Sequence, residues 1–454
     1  MTQPQALEML KSGYNVFLTG PAGCGKTFLL NQYINYLKQN NVDPGITAST
    51  GIAATHINGR TIHSWCGMGI EQNLSDEQIE RLTEKEHLWE RIKYAKVLII
   101  DEISMLNASR LDLVDRICKE FKESAAPFGG IQTILCGDFF QLPPVTRTAR
   151  EDGRFVTESG IWQNMGIKIC YLEEQYRQED KRFLRVLNDI RRNGTTAETK
   201  AILSERINQP VGFKIKPTKL HTHNSNVDAY NQFELGKLKG KEAVYQMYSE
   251  GIPHLVETLK DSCLAPERLV LKIGAVVMFV KNNFDLGYVN GTLGTVTGFD
   301  KDSGYPIIKT VHGKVIIAYP EKWKIEDGHK ILASISQVPL RLAWAITVHK
   351  SQGMSLDCAE IDLSKTFEYG MGYVALSRVR SLAGIRLLGF NEMALKVGEK
   401  VIEMDKQLQE KSRQDLEEFD QLSAEQKTEM QKELVKQPEV TKTAEPVETT
   451  GIPF

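Results

Sequence analysis

Long apolar runs are absent from this chain: no stretch approaches the roughly 18 apolar residues that a membrane-spanning helix needs. Cysteine is scarce, with seven residues and no CxxC pair, so neither a zinc ribbon nor a disulfide framework is indicated. The first residues, MTQPQALEMLKSG, lack the basic-then-apolar order of a secretory signal. We therefore expect a protein of a reducing compartment, cytoplasmic by default, with no membrane partner.

A strong net charge is also missing, since the formal value is −2. The distribution of charge is more informative than the total. Residues 401–454 hold 13 acidic and 7 basic side chains, which leaves the rest of the chain at about +4. That excess is compatible with a basic groove for a polyanion but does not establish one.

Strand-like and helix-like segments alternate through residues 1–175, as expected of a globular α/β protein of 454 residues and 41% apolar content. The strand-like segments are NVFLTG, GITAST, KVLIIDE, GIQTILCGD and IKICYLEEQ. This alternation predicts a parallel sheet with crossover helices. A polar, charged stretch at about 61–94 interrupts it and predicts a small insertion.

A second α/β unit is predicted over residues 176–263 and 331–394, beginning with the helix-like DKRFLRVLNDIRR. Between its two parts, residues 264–330 change to a period of two, and Asn290-Gly291 is a hairpin-turn signal. We therefore predict a small β-barrel inserted in the second unit. Residues 395–454 predict a charged helical extension with a disordered tail.

The segment GPAGCGKT lies between a predicted strand and a predicted helix, and this context predicts a phosphate-binding loop. Backbone N–H groups of such a loop surround the β-phosphate, Lys26 reaches the β- and γ-phosphates, and Thr27 can ligate Mg²⁺. The predicted nucleotide-binding residues are Gly20, Pro21, Ala22, Gly23, Cys24, Gly25, Lys26 and Thr27.

The strand-like VLIIDE ends in Asp101 and Glu102, which supply one carboxylate for Mg²⁺ and a second to polarise an attacking water. Together with the loop this predicts phosphoryl transfer, to water or to another acceptor. Gln141, at the end of the strand-like LCGDFFQ, is placed to sense the γ-phosphate. Arg177 and Arg378 can reach that phosphate from the second unit and stabilise the transition state.

Eight fragments in order resemble the superfamily-1 helicases of the 5′-to-3′ branch: GPAGCGKT, TASTGIAA, TIHSW, IIDEISML, CGDFFQLPPV, EQYRQ, ITVHKSQGMSLD and YVALSRV. Within that branch the chain is most similar to the PIF (petite integration frequency) DNA helicases, relatives of the RecD-like enzymes. DKRFLRVLNDIRRNG resembles the segment that sets the PIF group apart, and the likeness covers roughly residues 1–390.

The resemblance implies two RecA-like P-loop NTPase domains, 1–175 with a wedge-type insertion and 176–263 plus 331–394, with an SH3-like barrel at 264–330. It implies an ATP-dependent helicase that moves 5′-to-3′ on single-stranded DNA and unwinds forked or partial duplexes in replication, repair, recombination or genome maintenance. It also implies that Gln3 reads adenine, that Gly353 approaches the γ-phosphate, and that Arg177 and Arg378 are arginine fingers.

The DNA contacts implied by the resemblance are Thr47, Ser49, Thr50, Thr61, His63, Ser64, Thr222, Asn224, His349, Lys350 and Ser351. Hydroxyls, amides and histidines suit phosphate and sugar contacts that demand no base sequence. Phe139 and Trp65 offer faces for base stacking, with core packing as the alternative. Cys24 stands where Thr or Ser is usual in the loop, and we expect little effect because the loop uses its backbone N–H.

Three other functions remain open. One is a DNA-stimulated ATPase that remodels nucleoprotein without processive unwinding, and another is a small-molecule or nucleotide kinase, which would leave the second unit unexplained. The third is a plain nucleic-acid-binding module, which turnover of ATP would exclude. The sequence does not decide between DNA and RNA as the tracking strand, and we expect a monomer in the absence of DNA. The last residues, Ile-Pro-Phe, resemble the tips of bacterial single-stranded-DNA-binding proteins, whose tails dock partner enzymes. Docking to a replication or repair partner is one interpretation of this end, and a disordered end without function is the alternative.

Overall fold

The computed structural model describes residues 1–69, 73–141, 143–144, 153–176, 180–213, 215–221, 227–283, 285–327, 330–348, 350–351 and 353–436. Four residues singled out from the sequence, Arg177, Thr222, Asn224 and His349, lie outside these ranges. So does the tail 437–454 with its Ile-Pro-Phe end.

The first unit is built on a parallel sheet, as the alternation of segments predicts. Its elements are α1 (Gln3–Lys11), β1 (Val16–Thr19), α2 (Lys26–Gln39), β2 (Gly45–Ala48), α3 (Gly51–His56), β3 (Arg60–Thr61), α4 (Ile62–Trp65), α5 (Asp76–Thr83), α6 (Glu86–Lys93), β4 (Val97–Asp101), α7 (Ala108–Lys122), β5 (Gln132–Cys136), α8 (Gly160–Asn164) and β6 (Lys168–Tyr171). In the described residues the strand order is β3-β2-β4-β5-β1-β6.

The central strands β4, β5 and β1 are buried along their whole length because both faces of the sheet are covered. Val97 and Ile99 of β4 pack into the core on one face, and Leu98 and Ile100 pack into the core on the other. All strands run in one direction, so their carboxyl ends meet at one edge. That edge carries the phosphate loop after β1 and Asp101 at the end of β4.

The second unit has its own parallel sheet, with the order β18-β7-β19-β20 in the described residues. Its elements are α9 (Lys181–Arg191), α10 (Ala197–Ser204), β7 (Thr218–His221), α11 (Val227–Gly236), β18 (Ala345–Thr347), β19 (Ala359–Leu363), α13 (Met371–Ser377) and β20 (Ile385–Phe390). Two further helices follow, α14 (Glu399–Asp420) and α15 (Ala424–Val435).

A β-rich segment separates β7 and α11 from β18. Its elements are β8 (Ala243–Gln246), β9 (Tyr248–Gly251), α12 (Pro253–Ser262), β10 (Arg268–Leu271), β11 (Val276–Phe279), β12 (Leu293–Phe299), β13 (Pro306–Thr310), β14 (Val315–Ile317), β15 (Glu321–Asp327), β16 (Lys330–Gln337) and β17 (Leu340–Leu342). The strands of 264–330 are therefore joined by strands on either side.

The predicted closed barrel is not found among the described residues. They form open antiparallel sheets of order β14-β13-β12-β11-β17, β15-β16-β9 and β10-β8. Asn290-Gly291 does form a turn before β12, but the connection from β11 runs from Val280 to Thr292, much longer than a two-residue hairpin. Alternation of apolar residues with a period of two predicts strands that pair with one another. Whether the resulting sheet closes into a barrel depends on which of its edge strands meet.

The stretch predicted as an insertion, 61–94, contains the short helices α4, α5 and α6, and α5 and α6 pack against α7. None of the helices in the described ranges combines the length and apolar character that a membrane crossing requires. All seven cysteines are free thiols.

Candidate functional site

The phosphate loop connects β1 to α2 and is shaped by its glycines. Gly20 and Gly25 have φ values of +141° and +84°. A Cβ at Gly20 would lie 2.4 Å from the Leu172 carbonyl oxygen, and one at Gly25 would lie 2.1 Å from Gln3 Nε2. Both positions therefore need glycine, and the first turn of α2 begins directly after the loop with Lys26 and Thr27.

Lys26 folds back along the loop: its Nζ donates to the Gly20 carbonyl at 2.8 Å and the Pro21 carbonyl at 3.2 Å. Burial lowers the pKa of Lys26, but the negative potential of Cys24, Asp138 and other neighbours outweighs burial, so the net shift is upward. The amine is therefore a permanent cation beside the loop. Thr27, at the start of the helix, is exposed to the cavity described below.

Asp101 and Glu102 follow the buried strand β4. Asp101 is 7% exposed, and its Oδ1 accepts the Glu102 backbone N–H at 2.8 Å. Burial raises the pKa of Asp101 against the opposing effects of Cys136, this N–H and Lys26. Glu102 has a φ of +51°, unusual for a side-chain-bearing residue, and Ser49 Oγ donates to its carbonyl at 2.6 Å.

A cavity of about 720 Å³ brings the two units together, and we call it the ATP cavity. Its lining includes predicted residues of the first unit and, from the second unit, Gly353 and Arg378. The predicted residues of the first unit in the lining are Ala22, Gly23, Gly25, Lys26, Thr27, Asp101, Glu102 and Gln141. The sheet edge of one unit and the helix α13 of the other therefore face one space.

Arg378 reaches across this space to the first unit. Its Nη2 donates to Gln141 Oε1 at 3.2 Å, and its Nε donates to the Val374 carbonyl at 3.1 Å. Arg378 is 1% exposed, and burial lowers its pKa while the nearby Glu102 opposes that shift. A buried guanidinium aimed at a polar side chain beside a phosphate loop can respond to added negative charge there.

Gln3 lies against the phosphate loop and is not among the residues that line the cavity. Thr2 caps α1, and Gln3 Nε2 donates to the Cys24 carbonyl at 3.2 Å. The side-chain amide of Gln3, which can donate and accept hydrogen bonds, is therefore next to the phosphate loop. The oxygens of Thr27 and Asp101 are the hard ligands that Mg²⁺ accepts in small number together with phosphate oxygens and water, so these residues fit that ion. No group of three or more His, Cys, Asp or Glu forms a metal cluster within the described ranges.

The residues proposed for DNA contact separate into two groups. Thr50 and Thr61 cap the helices α3 and α4 at the carboxyl ends of β2 and β3. His63 and Ser64 are half-buried on α4, and burial lowers the pKa of His63 to about 4. Lys350 is half-buried in the second unit. These five remain compatible with a strand lying across the carboxyl ends of both sheets.

The second group does not fit direct contact. Thr47 and Ser351 are fully buried, and their hydroxyls donate to the Ile99 and Val348 carbonyls at 2.7 Å each. Ser49 is nearly buried and donates to Glu102, as described above. Each hydroxyl is satisfied inside the protein, so its role is structural in this arrangement.

The two aromatic candidates for base stacking lie in the core. Phe139 is 5% exposed and packs with its ring centroid 5.3 Å from that of Phe17 and 5.5 Å from that of Phe155. Trp65 is also buried, next to Gly45. In this arrangement Phe139 lies among aromatic rings of the first unit, which favours core packing, the alternative that the sequence left open.

Sequence reasoning missed a set of residues that connect the two walls of the cavity: Asp138, Arg191, Tyr373 and His56. His56, at the end of α3, lies 2.7 Å from Asn290 Nδ2 and against Gly353. The segment DKRFLRVLNDIRRNG drew attention to α9, where Arg191 lies. Nothing in the sequence pairs Arg191 with Asp138.

Comparison with known proteins finds relatives over most of the chain. Residues 5–201 match the family described as PIF1-like helicase, and residues 254–299 match the DNA helicase Pif1 2B domain. The ATP-dependent DNA helicase Pif1 of Psychrobacter sp. (strain PRwf-1) is 45% identical over 456 residues, which cover 87% of this chain and 69% of the relative.

Solved structures of Pif1 helicases are also similar to this chain. The crystal structure of Bacteroides sp Pif1 in complex with ADP-AlF4 has a TM-score of 0.78 at 31% identity and covers 90% of this chain and 97% of that one. Bacteroides Pif1 bound to ssDNA has a TM-score of 0.59 at 31% identity, with 91% and 97% covered. The predicted α/β fold with a RecA-like parallel-sheet core is thereby confirmed.

Proposed function

Because this chain belongs to the PIF1-like helicase family, we propose that its hydrolysis of ATP drives movement along single-stranded DNA in the 5′-to-3′ direction and the unwinding of forked or partial duplexes. The resemblance stated from the motifs is confirmed by the family match and the relatives. The observation that carries the proposal is the ATP cavity, where Lys26 and Glu102 of one unit face Arg378 of the other.

In this proposal the first unit binds and orients the triphosphate. Backbone N–H groups of the loop and Lys26 hold the β- and γ-phosphates, and Gln3 reads the adenine. Thr27 and Asp101 would hold Mg²⁺, which would supply charge neutralisation at the phosphates. Glu102 polarises the attacking water, so the acceptor is water.

The second unit supplies cations. Arg378, buried beside Gln141, stabilises charge on the γ-phosphate, and Gly353 allows the backbone to approach. Arg177 is proposed from the sequence as a second cation, and it lies outside the described residues. Since both units share the cavity, binding and hydrolysis of ATP can close and reopen the space between them.

That movement is proposed to act on DNA through both units. Thr50, Thr61, His63 and Ser64 would contact the strand on the first unit, and Lys350 on the second. Thr222, Asn224 and His349 are kept as sequence predictions for the same surface. Alternation of grip between the two surfaces, in step with the cavity, would give directed movement.

Three finer features belong to the same proposal. The stretch 61–94 would act as the wedge that splits the duplex, the strands of 264–330 would form an SH3-like subdomain that helps enclose the strand, and domain limits would follow 1–175, 176–263 with 331–394, and 395–454. The free cysteines support a reducing, cytoplasmic location. A monomer without DNA, and a tail that docks a replication or repair protein, complete it.

The experiment is strand separation on two partial duplexes, one with a 5′ tail and one with a 3′ tail, with ATP and Mg²⁺. Separation from the 5′ tail alone is expected, and the Lys26→Ala variant gives the background. Separation from the 3′ tail alone would contradict the direction. DNA-stimulated ATP hydrolysis with no separation of either substrate would replace unwinding by remodelling of nucleoprotein, and the wedge assignment would fail first.

A further inference from the structure

Arg191, the last residue of α9, is a buried cation at the junction of three parts of the molecule. Its side chain is 6% exposed. Nη1 lies 2.9 Å from Asp138 Oδ1 in the first unit and 3.2 Å from the Tyr373 hydroxyl in the second. Nη2 lies 3.0 Å from Asp405 Oδ1 on α14 and 3.2 Å from the Tyr171 hydroxyl. One guanidinium therefore joins both units and the helix that follows them.

A buried charge is costly unless it is paired and hydrogen-bonded, so the position of Arg191 is restricted by its partners. Burial lowers the pKa of Arg191, but Asp138 and the other neighbours raise it well above its ordinary value. The guanidinium also stacks on Phe140, with 3.8 Å from its central carbon to the ring centroid. The charge and orientation of Arg191 are thus fixed on every side.

Two of these partners lead directly to the ATP cavity. The Tyr373 hydroxyl accepts the backbone N–H of Ala22, in the phosphate loop, at 3.2 Å. Asp138 Oδ2 accepts from Gln141 Nε2 at 3.4 Å, and Gln141 in turn accepts from Arg378. Arg191 therefore holds the groups that hold the phosphate loop and Gln141.

The third partner comes from a helix that continues past both units. Helix α14 lies along β6, the edge strand of the first sheet: Asp415 accepts the Ile169 N–H at 2.8 Å, and Ser412 accepts the Tyr171 N–H at 3.0 Å. These bonds satisfy an edge that would otherwise be open to another strand. They also fix the position of α14 along β6, and with it the position at which Asp405 bonds to Arg191.

We propose that Arg191 is a positioning residue of the ATP site and that α14, through Asp405, holds it in place, so that this helix sets the rate of ATP hydrolysis. Helix α14 lies outside both segments that match the family, 5–201 and 254–299. The inference rests on the proposed roles of Gln141 and Arg378 in the cavity.

The test compares Asp405→Asn with Lys400→Gln in the full chain. Asp405→Asn keeps the size of the side chain but removes the charge that Arg191 faces, and we expect kcat for DNA-stimulated ATP hydrolysis to fall about tenfold with KM for ATP changed by less than about twofold. Lys400→Gln removes an exposed ion pair of the same helix, 2.8 Å to Glu158, and should leave both constants unchanged.

A double-mutant cycle and a second variant distinguish a positioning role of Asp405 from a merely structural one. If Asp405 acts through Asp138 and Gln141, the double variant Asp405→Asn, Gln141→Ala should be no slower than Gln141→Ala alone. Arg191→Lys, which keeps the charge but not the fork, should reproduce the loss in kcat. A lower Tm with an intact kcat, or independent losses in the cycle, would overturn the inference. Full activity of Gln141→Ala would instead remove the proposed role of Gln141, and with it this inference.

Discussion

The two walls of the ATP cavity are held in place by different kinds of contact. On the wall of the first unit, the phosphate loop and Asp101 with Glu102 are positioned mainly by their own strands, β1 and β4, and by bonds between chain neighbours such as the Glu102 N–H to Asp101. The Tyr373 hydroxyl of the second unit adds a bond to the Ala22 N–H of the loop. On the wall of the second unit, Arg378 is oriented partly by Gln141, which belongs to the opposite wall.

This difference separates binding from sensing. A wall that is positioned mainly within its own unit can hold a triphosphate over a range of positions of the other unit, because most of its donors are fixed before the ligand arrives. A wall whose groups bond across the cavity changes when the gap changes. We therefore expect the first wall to govern whether ATP is turned over at all, and the second to govern how turnover depends on closure.

The largest effect should come from the first wall. Lys26→Ala removes the cation of the phosphate loop, and we expect ATP hydrolysis to fall by about 10³-fold or more because charge on the transferred phosphate loses its nearest fixed cation. Steady-state hydrolysis with saturating single-stranded DNA measures this. Lys38→Ala, an exposed lysine near the end of the same helix, is the matched control. A rate of hydrolysis in Lys26→Ala within about tenfold of that of the original chain would break the division between the walls.

The second wall should give a large loss of a different kind. Arg378→Ala is expected to lower kcat by about 10³-fold while ATP still binds, since an arginine of this kind acts on the transition state. Binding of a fluorescent ATP analogue, measured beside kcat, separates the two effects. Arg378→Lys keeps a charge without the fork and should recover only part of the rate. Normal hydrolysis by Arg378→Ala would remove the assignment of this residue as a finger.

Much of the first wall was readable from the sequence because its chemistry is local. Gly20 to Thr27 are consecutive, and the apolar run before Asp101 predicts the strand that carries it. Residues that are neighbours in the sequence are therefore also neighbours in this part of the site. The parallel sheet was predicted for the same reason, since each strand and crossover helix is a short continuous segment. Thr50 and Thr61, by contrast, were named from the resemblance to the helicase family and not from spacing along the chain.

The contacts across the cavity were not readable, because residues far apart in the chain meet there. Arg191 with Asp138 and His56 with Gly353 are pairs that no local pattern marks. Thr47 and Ser351 show a second limit: whether a hydroxyl faces DNA or a backbone carbonyl depends on one side-chain orientation, and the sequence is the same in either case. Closure of the predicted barrel, which is not found among the described residues, could not be read from the sequence for a related reason, since it depends on which strand edges meet in three dimensions.

Gly353 offers a smaller test of contact between the walls. Its φ is +73°, and a Cβ would lie 2.5 Å from His56 Nδ1 on the other unit. We expect Gly353→Ala to destabilise the protein by about 2–3 kcal/mol, from the backbone conformation and the crowding of His56 together. Urea unfolding measures this. Adding His56→Ala should recover the crowding part only, and a double variant no more stable than Gly353→Ala would mean that the two residues do not meet.

The smallest effect concerns the proton equilibrium of His56 between the walls. Burial lowers the pKa of His56 to about 4, so the folded protein binds this proton more weakly than the unfolded chain, whose histidines titrate near about 6.5. The stability that follows is present above about pH 6.5 and is lost as the pH falls towards 4, by about 2 kcal/mol at pH 5. Because burial lowers the pKa of His63 to about 4 as well, the original chain should lose stability from both residues, and His56→Gln should show the shallower loss between pH 7 and pH 5. Urea unfolding at each pH measures how steeply the free energy of unfolding changes with pH in the original chain and in His56→Gln. Equal slopes would mean that His56 is accessible to protons in the folded protein, and the cavity between the walls would then be open on the side of Gly353.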